Sequence, residues 1–333
     1  MAAGQATAIA PANIAFIKYW GVLDSELTLP TNGSISMCLD RCTTETHVRF
    51  EEGLDRDEVL LDLYEGVERP AEGRAYERVV AHLDRLRAMA GVNLRARVRS
   101  RNSFPADAGI ASSAAAFSAL TVAGAAALGL NLSEQQLSVL ARLSGSGSAC
   151  RSIPDGFVEW INDGTSTGSY ARSIAPPEHW QLCDIVAVVD VGAKQIASEA
   201  GHKLAFTSPY FPVRLQEIPE RIERARRAIL ERDLATLGEV MEADAISMHT
   251  VAMTTRPPAF YWSAGTMAII QAVRRWRDEG LACYFTIDAG PNVHVLCPVE
   301  SAAEIEARLC LLPEVQFTIV NLAGPGARVV KVS

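Results

Sequence analysis

The sequence predicts an α+β fold divided into two domains. Three observations carry that expectation. At 333 residues the chain is about twice the usual domain length, and 49% hydrophobic residues can fill two cores. The first hundred residues are mostly β-rich runs around one helical pattern, and the second half alternates helical patterns with strands in the order of a split βαβ unit.

Taken along the chain, "ANIAFI", "SISMCLD", "ETHVRFE" and "LRARVRS" read as strands, because β-branched and apolar residues alternate between turn formers. "RAYERVVAHLDRLRAMAG" has helical spacing and a glycine stop. "ASSAAAFSALTVAGAAALGL" is a helix so rich in Ala, Ser and Gly that another element must pack closely against it. "NLSEQQLSVLARLSG" starts a second helix, with Ser133 and Gln136 at capping-box spacing. "SIAPPEHWQ", residues 173–181, breaks all periodicity before the strand "LCDIVAVVD", so the domains are drawn at 1–180 and 181–333. Beyond it, one helical pattern runs from "PERIERARRAILERD" towards "LGEVMEADAISMH". "GTMAIIQAVRRWRDEG" and "SAAEIEARLCLL" are two more, between the strands "ACYFTI", "VHVLC" and "VQFTIV". No internal repeat or low-complexity segment interrupts this order.

A formal net charge of -8, without basic blocks, argues against nucleic-acid binding, which needs a cationic face. There is no run of about 18 apolar residues and no basic, then apolar, leader at the N-terminus, so neither a membrane span nor a secretory signal is expected. A cytoplasmic globular protein fits these limits, with a homodimer as one possible assembly. The seven cysteines lack CxxC spacing and read as buried thiols rather than a disulfide framework or a zinc site.

Three stretches carry chemistry. In "PADAGIASSAAAF", residues 105–117, Pro105 and Gly109 shape a turn, Ala108 and Ala111 keep it small, and Ser112 and Ser113 open the Ala-rich helix. The free N–H groups and positive dipole end of that helix suit a phosphate; an ordinary serine N-cap is the alternative. The loop lacks the Gly-Lys-Ser/Thr ending of a Walker A, and Asp107 either orients a magnesium ion or faces solvent. In "SGSGSACRS", residues 144–152, Ser146, Ser148 and Arg151 stand among glycines as either a carboxylate or phosphate cradle or a Gly/Ser linker. In "TIDAGPNVHVL", residues 286–296, Asp288 stands alone among core residues before a Gly-Pro turn, as a turn former or as a carboxylate held at a strand end. Lys18, in the apolar run "ANIAFIKYWG", is an edge charge unless a carboxylate lies beside it.

Together "PANIAFIKYWG", "NSFPADAGIASSAA", "SGSGSACRS", "HTVAMTTRPPAFYW" and "FTIDAGPNVHVL", in this order over residues 11–296, resemble the mevalonate diphosphate decarboxylase branch of the GHMP kinase superfamily. The resemblance implies a ribosomal-protein-S5 domain 2-like N-terminal domain, a ferredoxin-like C-terminal domain and an active site between them. It implies ATP and Mg2+ as cofactors, with the nucleotide phosphates held by Pro105, Ala108, Gly109, Ala111, Ser112 and Ser113. Asp288 is the implied base for the substrate's tertiary C3 hydroxyl, and Lys18 the cation beside it. Asn13, Tyr19, Ser146, Ser148 and Arg151 are implied substrate contacts. The metal ligands are not legible.

Two departures from that family touch the far end of the substrate. "KYWGVLD" has Val22 where a lysine is typical, and "ASEAGHKLAFTSPYF" keeps Ser198 but has Glu199 where an arginine is typical. Losing two charge-assisted hydrogen bonds would cost on the order of 3–6 kcal/mol of diphosphate binding. The expectation is therefore a phosphomevalonate decarboxylase that makes isopentenyl phosphate, with His202 and Lys203 as replacement phosphate contacts. The diphosphate decarboxylase, a mevalonate 3-kinase and a non-catalytic ligand sensor on the same fold remain as alternatives.

Overall fold

The computed structural model describes residues 4–106, 110–192 and 197–332. The chain opens with strand β1 (Gln5–Ile17), a small hairpin of β2 (Val22–Asp24) and β3 (Leu29–Pro30), and the long β4 (Ser34–Glu51). Then come β5 (Glu58–Asp62), β6 (Arg69–Pro70), helix α1 (Gly73–Ala90), β7 (Arg95–Asn102), α2 (Ser112–Ala127), α3 (Glu134–Leu143), β8 (Phe157–Ile161) and β9 (Tyr170–Ala175). These strands build one sheet in the order β1-β4-β7-β5-β6, with β8 on β4 and β9 on β8.

The remaining elements are β10 (Leu182–Val188), α4 (Ser198–Leu204), α5 (Phe211–Glu231), α6 (Leu234–Met253), α7 (Ala264–Asp278), β11 (Tyr284–Thr286), β12 (Val293–Pro298), α8 (Val299–Cys310), β13 (Phe317–Leu322) and β14 (Arg328–Val332). A four-stranded antiparallel sheet runs β11-β12-β10-β13, the order expected of a split βαβ unit, while β14 returns to pair with β1 at the edge of the first sheet. The expected α+β architecture is the one observed. Among the described residues no helix is long and apolar enough to cross a membrane, and six of the seven free cysteines are buried.

Two local readings change. "SISMCLD" and "ETHVRFE" are one 18-residue strand, bent where its register against β1 shifts between Pro11 and Asn13. The exposed pair Asp40 and Arg41 at that bend breaks the alternation and hides the continuity. The long helical pattern of the second half is two helices: Arg232 takes a left-handed conformation at φ 58°, and Asp233 caps α6 by accepting from the Thr236 N–H at 3.0 Å. The small residues of α2 do what their composition predicts, since a Cβ on Gly124 would stand 2.6 Å from Leu86 of α1. The Ser133–Gln136 capping box forms.

Candidate active site

At the end of β1 the side chain of Lys18, 3% exposed, turns back to donate to the Ala15 carbonyl at 2.6 Å and to Asp288 Oδ1 at 2.6 Å. Lys18 is thus no edge charge: it has the carboxylate partner that a functional lysine needs. Asp288 follows β11 and its carboxylate is 23% exposed, which leaves its second oxygen a path to solvent. Burial pushes against the ionised form of Asp288, but Lys18 first, with His294 and Arg151, outweighs it and holds the carboxyl below its ordinary range. Burial lowers Lys18, with Asp288 and Asp244 opposing.

The loop 144–152 is no linker. It folds into a 3-10 turn, Gly147–Ser152, whose Arg151 is 4% exposed. The guanidinium donates to Asn13 Oδ1 at 3.2 Å and Ser34 Oγ at 2.5 Å, and among the described residues no carboxylate pairs with it. Asn13 in turn donates to Ser152 Oγ at 2.8 Å and to the Ser148 carbonyl at 3.2 Å. The glycine at 147 is required, because a Cβ there would stand 2.9 Å from the Tyr19 ring and 3.0 Å from Trp160. A buried cation whose hydrogen-bond partners are neutral favours an anion beside it, and of the described carboxylates Asp288 acts on it without pairing.

At the start of α2 the serine N-cap alternative fails. Ala111, at φ 46°, is the N-cap residue and makes no side-chain cap, while Ser112 Oγ donates to the Ala106 carbonyl at 2.6 Å. The first-turn N–H groups therefore have no side-chain acceptor at the cap. Ser113 Oγ meets Ser146 Oγ at 3.1 Å, which joins this helix start to the Arg151 loop. Beside it, an apolar cleft lined by Leu61, Val79, Asn102, Phe117 and Leu120 lies under Arg78. Pro105 is described and half-buried; Asp107, Ala108 and Gly109 lie outside the described residues.

The far rim differs from its expected form. His202 does not face solvent as a free cation: it stacks on Tyr19 with centroids 4.2 Å apart, accepts the Gly21 N–H on Nδ1 at 3.0 Å, and burial drives its pKa to about 3. Lys203 pairs with Glu199 at 3.1 Å, and Arg74 of α1 reaches the other oxygen of the same carboxylate. Ser198 is the first residue of α4 and is half-buried. Residues that sequence reasoning missed are Arg74, Ser34, and a buried set around Lys18 and Asp288: Asp244, Arg214 and His249. Asp244 left one trace, a lone acid on an otherwise apolar face of "GEVMEADAISMH".

Comparison with known proteins identifies this arrangement. Residues 10–171 match the family described as Diphosphomevalonate decarboxylase-like N-terminal domain, and residues 184–318 match the Mevalonate 5-diphosphate decarboxylase C-terminal domain. The chain is 37% identical over 306 residues to the diphosphomevalonate decarboxylase of Candida albicans, covering 86% of this chain and 83% of that one. To the enzyme of Homo sapiens it is 34% identical over 326 residues, covering 90% and 78%. It superposes on mevalonate diphosphate decarboxylase from Staphylococcus aureus with a TM-score of 0.92 at 34% identity, covering 99% of both chains. The TM-score is 0.91 at 36% identity for MDDEF in complex with MVAPP, AMPPCP and magnesium, covering 99% of this chain and 100% of that one.

The chain belongs to the diphosphomevalonate decarboxylase family and has its two-domain α+β fold of the GHMP kinase type. This overturns the expectation of a 5-phosphomevalonate decarboxylase making isopentenyl phosphate: the relatives that match over most of the chain are diphosphomevalonate decarboxylases. The physical reason is visible at the rim. An unpaired Glu199 would repel a second phosphate, yet Lys203 and Arg74 already neutralise it.

Proposed function

We propose that this protein is an ATP-dependent decarboxylase of mevalonate 5-diphosphate, yielding isopentenyl diphosphate, ADP, phosphate and carbon dioxide. The observation that carries the reading is the ion pair at 2.6 Å between buried Lys18 and part-buried Asp288, electrostatically coupled to the buried Arg151, which has no paired carboxylate among the described residues.

In this reading Asp288, ionised at neutral pH, takes the proton of the C3 hydroxyl as that oxygen attacks the γ-phosphorus of ATP. Lys18 fixes the carboxylate and offsets the charge that gathers on the attacking oxygen. Arg151, oriented by Asn13 and Ser34, receives the substrate carboxylate as the anion its burial calls for. The C3–O bond then breaks with phosphate as leaving group, and loss of carbon dioxide supplies the electron pair of the new C=C bond. The nucleotide phosphates are assigned to the uncapped start of α2 with Ser112, Ser113 and Ser146, and the nucleoside to the neighbouring apolar cleft. The hydroxyl oxygens of Ser112 and Ser113 are hard donors of the kind that suit Mg2+, which would neutralise phosphate charge there. The terminal phosphate is assigned to Arg74 and Lys203. Their exposed pairs with Glu199 are worth only about 0–1 kcal/mol, so a diphosphate can take them over. Two domains meeting at residues 180 and 181 fit this cleft, supported by the Pro176–Trp180 turn before β10.

Mass spectrometry of products from mevalonate 5-diphosphate, ATP and Mg2+ tests the reading. Isopentenyl diphosphate with equimolar ADP supports it; ADP with an intact 3-phosphorylated acid would show a kinase instead.

A further inference from the structure

Lys18 and Asp288 come from segments 270 residues apart in sequence, and the same helix grips the backbone of Lys18 and of the residue before Asp288. From α6, Asp244 Oδ2 accepts the Lys18 N–H at 2.7 Å. Arg214 of α5 donates to Asp244 Oδ1 at 2.9 Å and Oδ2 at 3.0 Å, and to the Lys18 carbonyl at 3.0 Å; Asn32 donates to that carbonyl at 2.9 Å. About one and a half turns further along α6, His249 Nε2 lies 3.3 Å from the carbonyl of Ile287, the residue before Asp288. Asp244, Arg214 and His249 are at most 1% exposed, so none of them can touch a substrate directly.

We infer that α6 is the alignment bar of the reaction centre: Asp244 and His249 are positioning residues that fix where Lys18 and Asp288 meet, Asp244 through the Lys18 amide and His249 through the Ile287 carbonyl. A carbonyl can only accept, so His249 must carry its proton on Nε2. It is also neutral: burial disfavours the charged ring first, Lys18 and Arg214 add to that against the Ile287 carbonyl and Asp288, and the Tyr261 and Trp262 rings lie beside it. Burial lowers the imidazole pKa to about 3, consistent with that state. An isolated structural contact would hold one strand end; this helix holds both halves of one ion pair.

This inference rests on the proposed function for its kinetic arm and has a second arm that does not. For the first, His249→Gln keeps an N–H donor at nearly the same reach, His249→Asn keeps a donor that is too short, and His249→Phe fills the ring volume with none. A misplacement of about 1 Å can cost up to about 10²-fold in rate. With the full-length protein, kcat should fall about 10- to 100-fold for Asn and Phe with KM for ATP and mevalonate 5-diphosphate nearly unchanged, and Gln should restore most of it. Equal damage by all three, a KM change matching the kcat change, or unfolding of both Asn and Phe variants overturns the proposal. The wild-type rate in the same assay separately carries the proposed function. For the second arm, 15N spectra of the imidazole must show the neutral Nε2–H tautomer at pH 7 in the wild-type protein. An Nδ1–H tautomer or a charged ring would overturn the proposal even if no substrate were turned over.

Discussion

The reaction centre and the rim of the cleft are built from the same residue types under opposite conditions. Around Lys18, Asp288, Arg151 and Asp244 the charges are buried, or at Asp288 largely so, and held in place by hydrogen bonds to side chains and backbone from distant segments. Around Glu199, Lys203 and Arg74 they are exposed, with side chains 44–68% accessible, and among the described residues they pair only with one another. Removing one partner of a buried pair costs about 3–5 kcal/mol, whereas an exposed pair is worth about 0–1 kcal/mol. A buried charge is therefore fixed by the fold, while an exposed charge can change partners when a ligand arrives. Glu199 misled the substrate assignment for that reason: read alone it is a repelling anion, and folded it is already paired.

The largest expected effect is at the centre. Asp288→Asn should lower kcat by about 10²- to 10⁴-fold while ATP still binds, because an amide cannot take the proton; near wild-type turnover would return Asp288 to a turn-forming role. Next is Arg151→Lys, which keeps the charge but loses the planar fork between Asn13 and Ser34. KM for mevalonate 5-diphosphate should rise at least about tenfold with KM for ATP within about threefold, and equal loss on both would show a role in the fold or the nucleotide site.

Buried neutral histidines extend the comparison to stability. His82, bonded to Thr121 at 2.8 Å, and His249 are both driven to pKa values of about 3 by burial, below the ordinary 6.5. The unfolded chain binds their protons first as pH falls, so the stability they contribute is complete above pH 6.5. It declines between there and about 3, at roughly 1.4 kcal/mol per pH unit for each group. Urea unfolding at pH 7 and pH 5 measures this, and a midpoint unchanged between the two would show that these rings protonate in the fold. The smallest effect belongs to the rim: Glu199→Gln should change kcat/KM by less than about threefold, since it removes one exposed partner. A tenfold change would mean that the fold fixes the rim charges as firmly as those of the centre.

The same contrast explains what the sequence made legible. Strands, helices and the split βαβ order followed from periodicity, which local chemistry sets. Asp288 and Lys18 stood out because a charge in an apolar run needs a reason, and Arg151 because a guanidinium stands among short hydroxyl residues and glycines. Arg74 was invisible on an exposed helix face where charge is ordinary. Arg214 and His249 gave no local signal because their partners, Lys18 and Ile287, lie 196 and 38 residues away. The neutralisation of Glu199 by Arg74 spans 125 residues, so only the folded chain reveals that the anion is not free.

The claim that the buried centre defines the chemistry while the rim accommodates the second phosphate is tested most directly by kcat/KM of the wild-type protein for mevalonate 5-diphosphate and for its 5-monophosphate, at fixed ATP and Mg2+. The account predicts the higher value for the diphosphate, with isopentenyl diphosphate as product. A higher value for the monophosphate would contradict it and restore Val22 and Glu199 as the residues that choose the substrate.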